Sequence, residues 1–445
     1  MARMRKRSLR LSQVLRPYGP GAIIDLEQES FVMLDTTINA QAWQLSKKIR
    51  LPRLEKRLGV TEFRSPPDNS DRSSRSLLVQ RFPKWLFCPK CRGMVFWTRE
   101  SEIDLETSKA EMPECKNPKC DNSPLVPMRY VAACKNGHMS DVDWWNWAHS
   151  SGTTGQCDKT KKNLEFLASS FGEASLRSLV IRCKTCGARR HLEDLQKPNA
   201  SKMARQKCFG AQPWHSFNEN SACNEPYKYL LRSETAVHFS NIETALDLDN
   251  IERESSELRD YLVREFANIL GSPPDLVLSI VREKITEAFG EKYCDNEILD
   301  AIKDSPAESN SIVKEKEPKL EEWKKLSEPT KGTSKVLIVK KTGWSSAPNH
   351  LKKLIEDVLV VERLREVRAF VSFSRVEPIS QINGEDGFEP IAPSGKKISE
   401  DTANWKPAIE VFGEGIFYKF SNNALSEWER KNKINIDKRL QKTLK

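Results

Sequence analysis

The sequence predicts an α+β protein of several domains, in which cysteine-rich modules resembling zinc ribbons precede a helical segment and a mixed α/β segment. Three observations lead to this prediction. The chain has 445 residues, which is too long for one small domain. Ten of its eleven cysteines lie between positions 88 and 223. Apolar residues then recur at helical spacing, and short strand-like runs follow them.

Changes in composition divide the chain into five predicted segments. They are a basic N-terminal arm with an α/β segment (1–80), a cysteine-rich metal-binding region (81–240), a helical segment (241–304), a charged linker (305–334), and a C-terminal mixed α/β segment with a basic tail (335–445).

The composition excludes the membrane-spanning and secreted classes. Hydrophobic residues make up 38% and charged residues 30% of the chain, and the mean hydropathy is −0.60. No stretch approaches the ~18 consecutive apolar residues of a membrane-spanning helix. The N-terminus is basic but lacks the apolar core of a secretory signal. We therefore expect a cytoplasmic protein.

The net charge of +10 is concentrated at the two ends of the chain. Residues 1–64 hold 13 Lys and Arg against 6 Asp and Glu, and residues 429–445 hold 7 against 2. Basic ends attract phosphate backbones, although they also occur as solvated tails that aid solubility. The predicted nucleic-acid contacts are Arg3, Arg5, Lys6, Arg7, Arg10 and Arg16.

A glycine-rich turn at Gly19 and Gly21 follows this arm and precedes an apolar run at residues 22–26. Glycine beside an apolar run indicates a close approach of the backbone to another element. No phosphate-binding P-loop pattern is present, so ATP binding is not predicted.

The first group of cysteines has the spacing of a zinc ribbon. Cys88 and Cys91 form a CxxC pair, and the strand-like run at residues 94–97 leads to Cys115 and Cys120. A CxxC turn places two thiolates on one side of a loop, and a second pair completes a tetrahedron. In a chain without a secretory signal, metal binding is more plausible than disulfide formation.

Two further groups follow, and their grouping rests on proximity in the sequence. The middle group is Cys134, His138, His149 and Cys157, although either histidine could be a hydrogen-bonded core residue. The last group is Cys183, Cys186, Cys208 and Cys223, in which Cys208 or Cys223 could be buried without ligating. Three closed sites predict about three Zn²⁺ per chain, with an iron–sulfur cluster as the alternative.

Six of the eleven tryptophans lie in this cysteine-rich region, at positions 85, 97, 144, 145, 147 and 214. Bulky aromatic residues compensate for the small cores of zinc modules, and this is the favoured interpretation. Stacking on nucleic-acid bases is the alternative, with residues 141–145 as the best candidates for exposure. The eleventh cysteine, Cys294, belongs to none of the three groups and is predicted to be a small apolar residue in a helix.

The second half of the chain is predicted to contain helices first and then a mixture of strands and helix. Ser272 is the predicted N-cap of a helix in which Ile280, Val281, Ile285 and Phe289 recur at helical spacing. Strands are predicted at 336–339, 368–373, 409–412 and 416–420, with a helix around 350–366. Acidic residues in that helix (Glu356, Asp357 and Glu362) are interpreted as a salt-bridged face rather than as a nuclease centre. No catalytic constellation is evident.

Several motifs, in order, resemble the DrmB family, the helicase-associated component of DISARM-type bacterial anti-phage systems. They lie at residues 15–26, 49–60, 81–88, 129–138, 183–186, 212–214, 362–368 and 410–417. The resemblance implies a cytoplasmic, non-ATPase subunit that pairs with a large DNA helicase or translocase. It also implies a further helical part after residues 410–417, so either another chain supplies that part or this is a shortened member.

Taken with the cysteine spacing and the charge, the resemblance predicts a non-catalytic zinc-binding subunit of an anti-phage defence complex. It would partner a DNA helicase or translocase and help to engage DNA, and the partner would perform the chemistry. The alternatives are a free-standing zinc-dependent DNA-binding regulator and a metal-dependent nuclease.

Overall fold

The fold is known from a computed structural model. It describes residues 9–38, 40–67, 77–108, 110–150, 157–158, 163–168, 176–215, 222–248, 258, 261–262, 264–266, 269–270, 272–303, 318–330, 336–378 and 404–432. Arg3, Arg5, Lys6 and Arg7, most of the predicted linker and the basic tail beyond residue 432 lie outside these residues.

Helices and small sheets are mixed along the described chain, which confirms the predicted α+β class. The helices are α1 (Leu11–Leu15), α2 (Ala40–Gln44), α3 (Pro52–Leu58), α4 (Arg99–Thr107), α5 (Trp144–His149), α6 (Ala200–Met203), α7 (Pro274–Phe289), α8 (Asp295–Lys303), α9 (Pro318–Leu326), α10 (Asn349–Lys352) and α11 (Asn422–Asn432). None of these described helices has the length and apolarity that a membrane crossing requires.

The strands are mostly short. They are β1 (Ile23–Asp25), β2 (Ser30–Met33), β3 (Lys48–Ile49), β4 (Glu62–Arg64), β5 (Val79–Arg81), β6 (Trp85–Phe87), β7 (Met94–Phe96), β8 (Val126–Pro127), β9 (Tyr130–Ala133), β10 (Met139–Asp141), β11 (Leu164–Ala168), β12 (Leu179–Cys183), β13 (Arg189–His191), β14 (Lys228–Leu231), β15 (Phe239–Leu246), β16 (Ile338–Lys341), β17 (Ile355–Ser374) and β18 (Trp405–Phe420).

The first of two compact units comprises Met1–Arg50, Gly59–Glu243 and Arg368–Ile409. It contains four three-stranded antiparallel sheets, with the orders β1-β2-β5, β7-β6-β8, β10-β9-β14 and β11-β12-β13. Such small sheets enclose little volume, so large side chains fill the core. Trp144 and Trp147 are completely buried there beside Phe166 and Tyr229.

The glycine turn before β1 lies against the aromatic residues of β17, as its sequence predicts. A Cβ atom on Gly19 would lie 2.6 Å from Cε2 of Phe370, and one on Gly21 would lie 2.7 Å from Cζ of Phe373. Gly21 also has a φ of +81°, a conformation that other residues rarely adopt. Both positions therefore require glycine.

The second compact unit comprises Leu51–Leu58, Thr244–Val367 and Glu410–Lys445. Its helical core buries Val277, Val281 and Ile285 along one face of α7. The N-cap of α7 is Pro273 rather than the predicted Ser272, and Pro274 occupies the first turn, where its missing N–H costs nothing. The predicted helical segment also begins in strand β15.

The helix predicted around 350–366 is wrong, because most of this stretch is β17. Only α10 (Asn349–Lys352) is helical there. Antiparallel pairing with β16 places Val339 opposite Val361, and both side chains are buried with Leu359 and Leu337. Packing against this apolar cluster, together with the β-branched valines, outweighs the helix-forming Glu, Leu, Lys and Arg residues.

Two of the three acidic residues singled out in this stretch form ion pairs, although they lie on a strand rather than on a helix. Glu362 lies 2.7 Å from Nζ of Lys340, and Glu356 lies 2.7 Å from Nζ of Lys419. These contacts agree with the predicted salt-bridged face.

Candidate metal centres

The first cluster consists of Cys88, Cys91, Cys115 and Cys120, as the spacing predicts. Their four sulfur atoms lie within 4.8 Å of one another. Cys88 and Cys91 occupy the turn between β6 and β7, where the N–H of Cys91 points at the sulfur of Cys88 (3.5 Å). Arg92 allows the tight turn by adopting a φ of 63°.

A short 3₁₀ turn (Pro118–Cys120) accounts for the wider spacing of the second pair. The side chain of Asn117 accepts a hydrogen bond from the N–H of Lys119 (3.1 Å) and so begins the turn. The N–H of Cys115 donates to the carbonyl of Ser123 (2.9 Å), which closes the loop behind it. Four intervening residues therefore fit one helical turn between two ligands.

The second cluster consists of Cys134, His138, Cys208 and Cys223, all buried or half-buried. Cys134 and His138 frame the turn between β9 and β10, where Gly137 has a φ of 79°. Nδ1 of His138 lies 3.5 Å from the sulfur of Cys134. Cys208 is anchored by its N–H, which donates to the carbonyl of Glu225 (3.1 Å).

The third cluster consists of His149, Cys157, Cys183 and Cys186. His149 ends α5, and its Nδ1–H donates to the carbonyl of Trp145 (2.7 Å). A carbonyl oxygen only accepts hydrogen bonds, so Nδ1 carries the proton and Nε2 faces the cluster, 3.2 Å from the sulfur of Cys186. Such a bond on the outer nitrogen orients histidine ligands in metal proteins.

The predicted grouping of the second and third clusters was wrong, although each of their eight residues does lie in a cluster. His149 and Cys157 lie with Cys183 and Cys186. Cys208 and Cys223 take their place beside Cys134 and His138. Strand register explains the exchange: Ala133 in β9 pairs with Lys228 in β14, which brings the segment before Lys228 beside Cys134. Leu164 pairs with Cys183, which brings the segment before Leu164 beside Cys183.

One thiol in each cluster ionises more readily than an ordinary cysteine. Burial opposes ionisation at Cys88 and Cys183, but backbone N–H groups of the same turn lower the pKa of each thiol to about 7. The hydrogen bond with Cys134 lowers the pKa of Cys208 to about 3. Each cluster therefore concentrates negative charge on one sulfur. The other sulfur and nitrogen atoms of the same cluster lie beside it and could bind the same cation.

Two further thiols, those of Cys120 and Cys157, resist ionisation while no cation is present. Burial, with the neighbouring sulfur atoms, raises the pKa of Cys120 and of Cys157 to about 12. A divalent cation would remove this penalty, because it stabilises each thiolate directly. The three clusters could thus hold metal ions, one S₄ set and two S₃N sets.

The eleventh cysteine differs from its prediction. Cys294 is exposed and lies just before α8, where its N–H donates to Oε2 of Glu297 (2.8 Å). It is therefore not a buried apolar residue within a helix.

The sequence did not reveal Arg375, a completely buried arginine beside the second cluster. Its guanidinium donates to the carbonyl oxygens of Gly137 (2.9 Å), Gly21 (2.6 Å) and Val237. It also lies 4.7 Å from the ring centre of Trp214. Burial lowers its pKa to about 9, while the thiol of Cys134 acts in the opposite direction. No motif surrounds Arg375, so only the structure could identify it.

Most tryptophans of the cysteine-rich region serve the core, as the favoured interpretation has it. Trp85, Trp97, Trp144, Trp147 and Trp214 are buried. Trp145 is half-buried, stacked on the ring of His149 with 4.1 Å between centroids. Of residues 141–145, Trp144 is therefore a wrong candidate for exposure, whereas Trp145 reaches a cavity.

The two described residues of the predicted nucleic-acid set, Arg10 and Arg16, are both exposed and flank α1. They remain predictions as DNA contacts.

Comparisons with known proteins agree with the predicted resemblance. A family model described as a domain of unknown function (DUF8724) matches residues 10–239, which include all three clusters. Over 422 residues the chain is 27% identical to the DISARM protein DrmB of Bacillus paralicheniformis, covering 92% of this chain and 70% of that protein. The resemblance to DrmB is therefore confirmed.

Proposed function

The chain belongs to the family described as a domain of unknown function (DUF8724), and from that premise we propose that it is a zinc-binding, non-catalytic component of a DISARM-type anti-phage defence system. In this role it partners a DNA helicase or translocase of the same system in the cytoplasm and helps to engage DNA. The observation that carries the proposal is the similarity to the DISARM protein DrmB along 92% of the chain.

Zinc is the proposed metal because of the donor sets. Each cluster offers four thiolate or imidazole donors whose ligand atoms lie within 4.8 Å of one another. Zn²⁺ prefers this ligand number and these donor types in structural sites. Four protein donors leave no position for water, so these sites suit a scaffold better than a hydrolytic centre.

The buried Arg375 supports a filled second cluster. A Zn²⁺ ion with three thiolates and a neutral histidine carries a net charge of −1. Arg375 hydrogen-bonds to the carbonyl of Gly137, which lies between Cys134 and His138 in the chain. A filled site would thus place an anionic complex beside a cation that is completely buried.

Elemental analysis with an absorbance scan tests the metal. We expect about three colourless zinc ions per chain, one for each cluster. Iron with visible absorbance would overturn the zinc assignment, because iron–sulfur clusters absorb visible light. Acidification should release the ions, since protons compete with the metal for the cysteine and histidine ligands.

Binding to single-stranded DNA tests the basic arm. Replacing Arg3, Arg5, Lys6 and Arg7 with Gln should reduce the salt dependence of binding, with the slope falling by up to about 3 if all four contact phosphates. The matched control replaces Lys324, Lys325, Lys352 and Lys353, four exposed lysines elsewhere, and should leave the slope unchanged.

Co-purification with the helicase subunit of the same system tests the partnership. Failure to bind DNA at low salt, alone and with the helicase, would remove DNA engagement from the proposal. A sequence-specific footprint by the chain alone would favour a regulator instead. Metal-dependent DNA cleavage that is lost on replacing a carboxylate would favour a nuclease.

A further inference from the structure

A cavity of about 500 Å³ lies in the first compact unit. Its volume falls in the range of small-molecule sites, ~300–1,000 Å³. The aromatic rings of Trp85, Phe96, Trp145 and Phe209 contribute to its lining. The role proposed above does not use this cavity.

One face of the segment 205–209 forms part of the cavity wall. Side chains alternate along it: Arg205, Lys207 and Phe209 are exposed, whereas Cys208 is buried in the second cluster. All three exposed residues line the cavity. Phe209 is 53% exposed. Arg205 and Lys207 form no ion pair with any residue that the structure describes.

Asp141, Asp143 and Gln206 also line the cavity, and their polar groups are engaged within the protein. Asp141 accepts hydrogen bonds from the N–H groups of Lys84 (2.8 Å) and Trp85 (3.2 Å). Gln206 donates to the carbonyl of Asp141 (2.8 Å) and accepts from the N–H of Asp143 (3.0 Å). The lining therefore carries the carboxylates of Asp141 and Asp143, and it carries the cations Lys84, Arg205 and Lys207.

This distribution of charge selects the occupant. The carboxylates of Asp141 and Asp143 repel a phosphate, whereas the exposed side chains of Arg205 and Lys207 attract one. Flat rings on the walls offer stacking partners to a base. A ligand that combines an uncharged flat ring with a phosphate on either side matches this arrangement, and single-stranded nucleic acid has that chemistry.

We propose that this cavity receives one unstacked base of single-stranded DNA, with Phe209 stacking on the base and with Arg205 and Lys207 contacting the adjacent phosphates. The proposal rests on the DNA-engaging part of the function proposed above. The second cluster fixes the segment through Cys208, and the third cluster fixes Trp145 through the stacked His149.

The test compares two fluorescein-labelled oligonucleotides of about 12 units, one an oligothymidylate and the other the same backbone without bases. The full chain should bind the oligothymidylate about tenfold more tightly. Phe209→Ala should reduce this ratio to near one, and Phe209→Tyr should keep it. Because Phe209 is exposed, both variants should fold and retain their metal content.

Two further variants separate the roles. Arg205→Gln with Lys207→Gln should weaken binding to both oligonucleotides equally and reduce the salt slope by about 1, as expected for phosphate contacts. Leu276→Ala replaces a similarly exposed apolar residue of the helix α7 and should change nothing.

The outcomes distinguish this inference from the proposed function. Equal affinity of the unaltered chain for both oligonucleotides would overturn the base pocket and leave DNA engagement standing. A preference that survives Phe209→Ala would also overturn it. No binding to either oligonucleotide at low salt would overturn both. Loss of helicase co-purification in Phe209→Ala, without any preference for bases, would assign the cavity to a protein partner.

Discussion

Arg375 shows how much of one unit can depend on a single side chain. Its guanidinium bonds to carbonyl groups from three separate stretches of chain, around Gly21, Gly137 and Val237. At neutral pH it stays charged, because even after burial its pKa is about 9. Burial, together with the same cation, lowers the pKa of His238 to about 3, so His238 is neutral and serves as a packing residue.

Replacement of Arg375 should therefore destabilise the protein strongly. Arg375→Met removes the donors of three buried carbonyls, and we expect a loss of at least about 3 kcal/mol in the free energy of unfolding. Chemical denaturation measures it. Arg264→Met, at a mostly exposed arginine, is the control and should change stability by less than about 0.5 kcal/mol. A loss below about 1 kcal/mol for Arg375→Met would contradict this role.

Gly21 and Gly59 form a matched pair for testing the close approach at the N-terminal turn. Both have a positive φ, but only Gly21 has atoms close to the position of a Cβ. Gly59→Ala should cost about 1 kcal/mol through its backbone conformation alone. Gly21→Ala should cost about 1–3 kcal/mol more, because the methyl group would overlap Phe373. Equal losses in thermal or chemical denaturation would show that Phe373 moves aside.

At the scale of elements, sequence pattern predicted the glycine turn, the strand after Cys91 and the helix after Pro273, because local chemistry decides each of them. It predicted a strand at 368–373, the last part of β17, but it did not predict the part before it. Residues 350–366 contain many helix formers, and their strand conformation depends on β16 and on apolar contacts from distant parts of the chain. Such contacts outweigh local propensity but leave no local signal.

Arg365 on β17 ties this strand to its neighbours in the second unit. It makes two hydrogen bonds to Glu410 on β18 (2.9 and 2.6 Å) and pairs with Asp247 just after β15. All three side chains are largely buried. A buried cation with two anions is costly to break, since removal of one partner leaves charge without compensation.

Arg365→Met should cost about 3–5 kcal/mol in the free energy of unfolding. Adding Asp247→Asn and Glu410→Gln should recover part of that loss, because the unpaired carboxylates then disappear. Lys340→Met, which breaks the exposed pair with Glu362, should cost less than about 1 kcal/mol. If the triple variant is no more stable than Arg365→Met, charge is not the cause.

At the scale of the whole molecule, the sequence identified the ligand candidates but not their partition. Residue type and spacing mark a cysteine as a ligand candidate. Strand register decides which other candidates lie beside it, over distances that spacing does not encode. The third cluster lies in the chain entirely between His138 and Cys208, so the two clusters are nested. Proximity in sequence favours the opposite arrangement.

Metal counts in paired variants test this partition directly. Cys183→Ser and Cys208→Ser should each remove one of three ions, and the double variant should retain one, because the residues lie in different clusters. Cys157→Ser with Cys183→Ser should retain two, since both belong to the third cluster. Two retained ions in the Cys183/Cys208 variant would restore the grouping by sequence proximity.

The nested order of the clusters in the chain also determines when each cluster is complete during translation. The first cluster is complete once Cys120 has been synthesised, and the third once Cys186 has been synthesised. The second cluster begins at Cys134 but is complete only at Cys223. That wait spans roughly ninety residues, or about 4–18 seconds at ~5–20 residues per second. If the sites fill during translation, Cys134 and His138 are the donors exposed longest to competing metals and oxidants. The last ion to bind would then hold the first compact unit in its final fold.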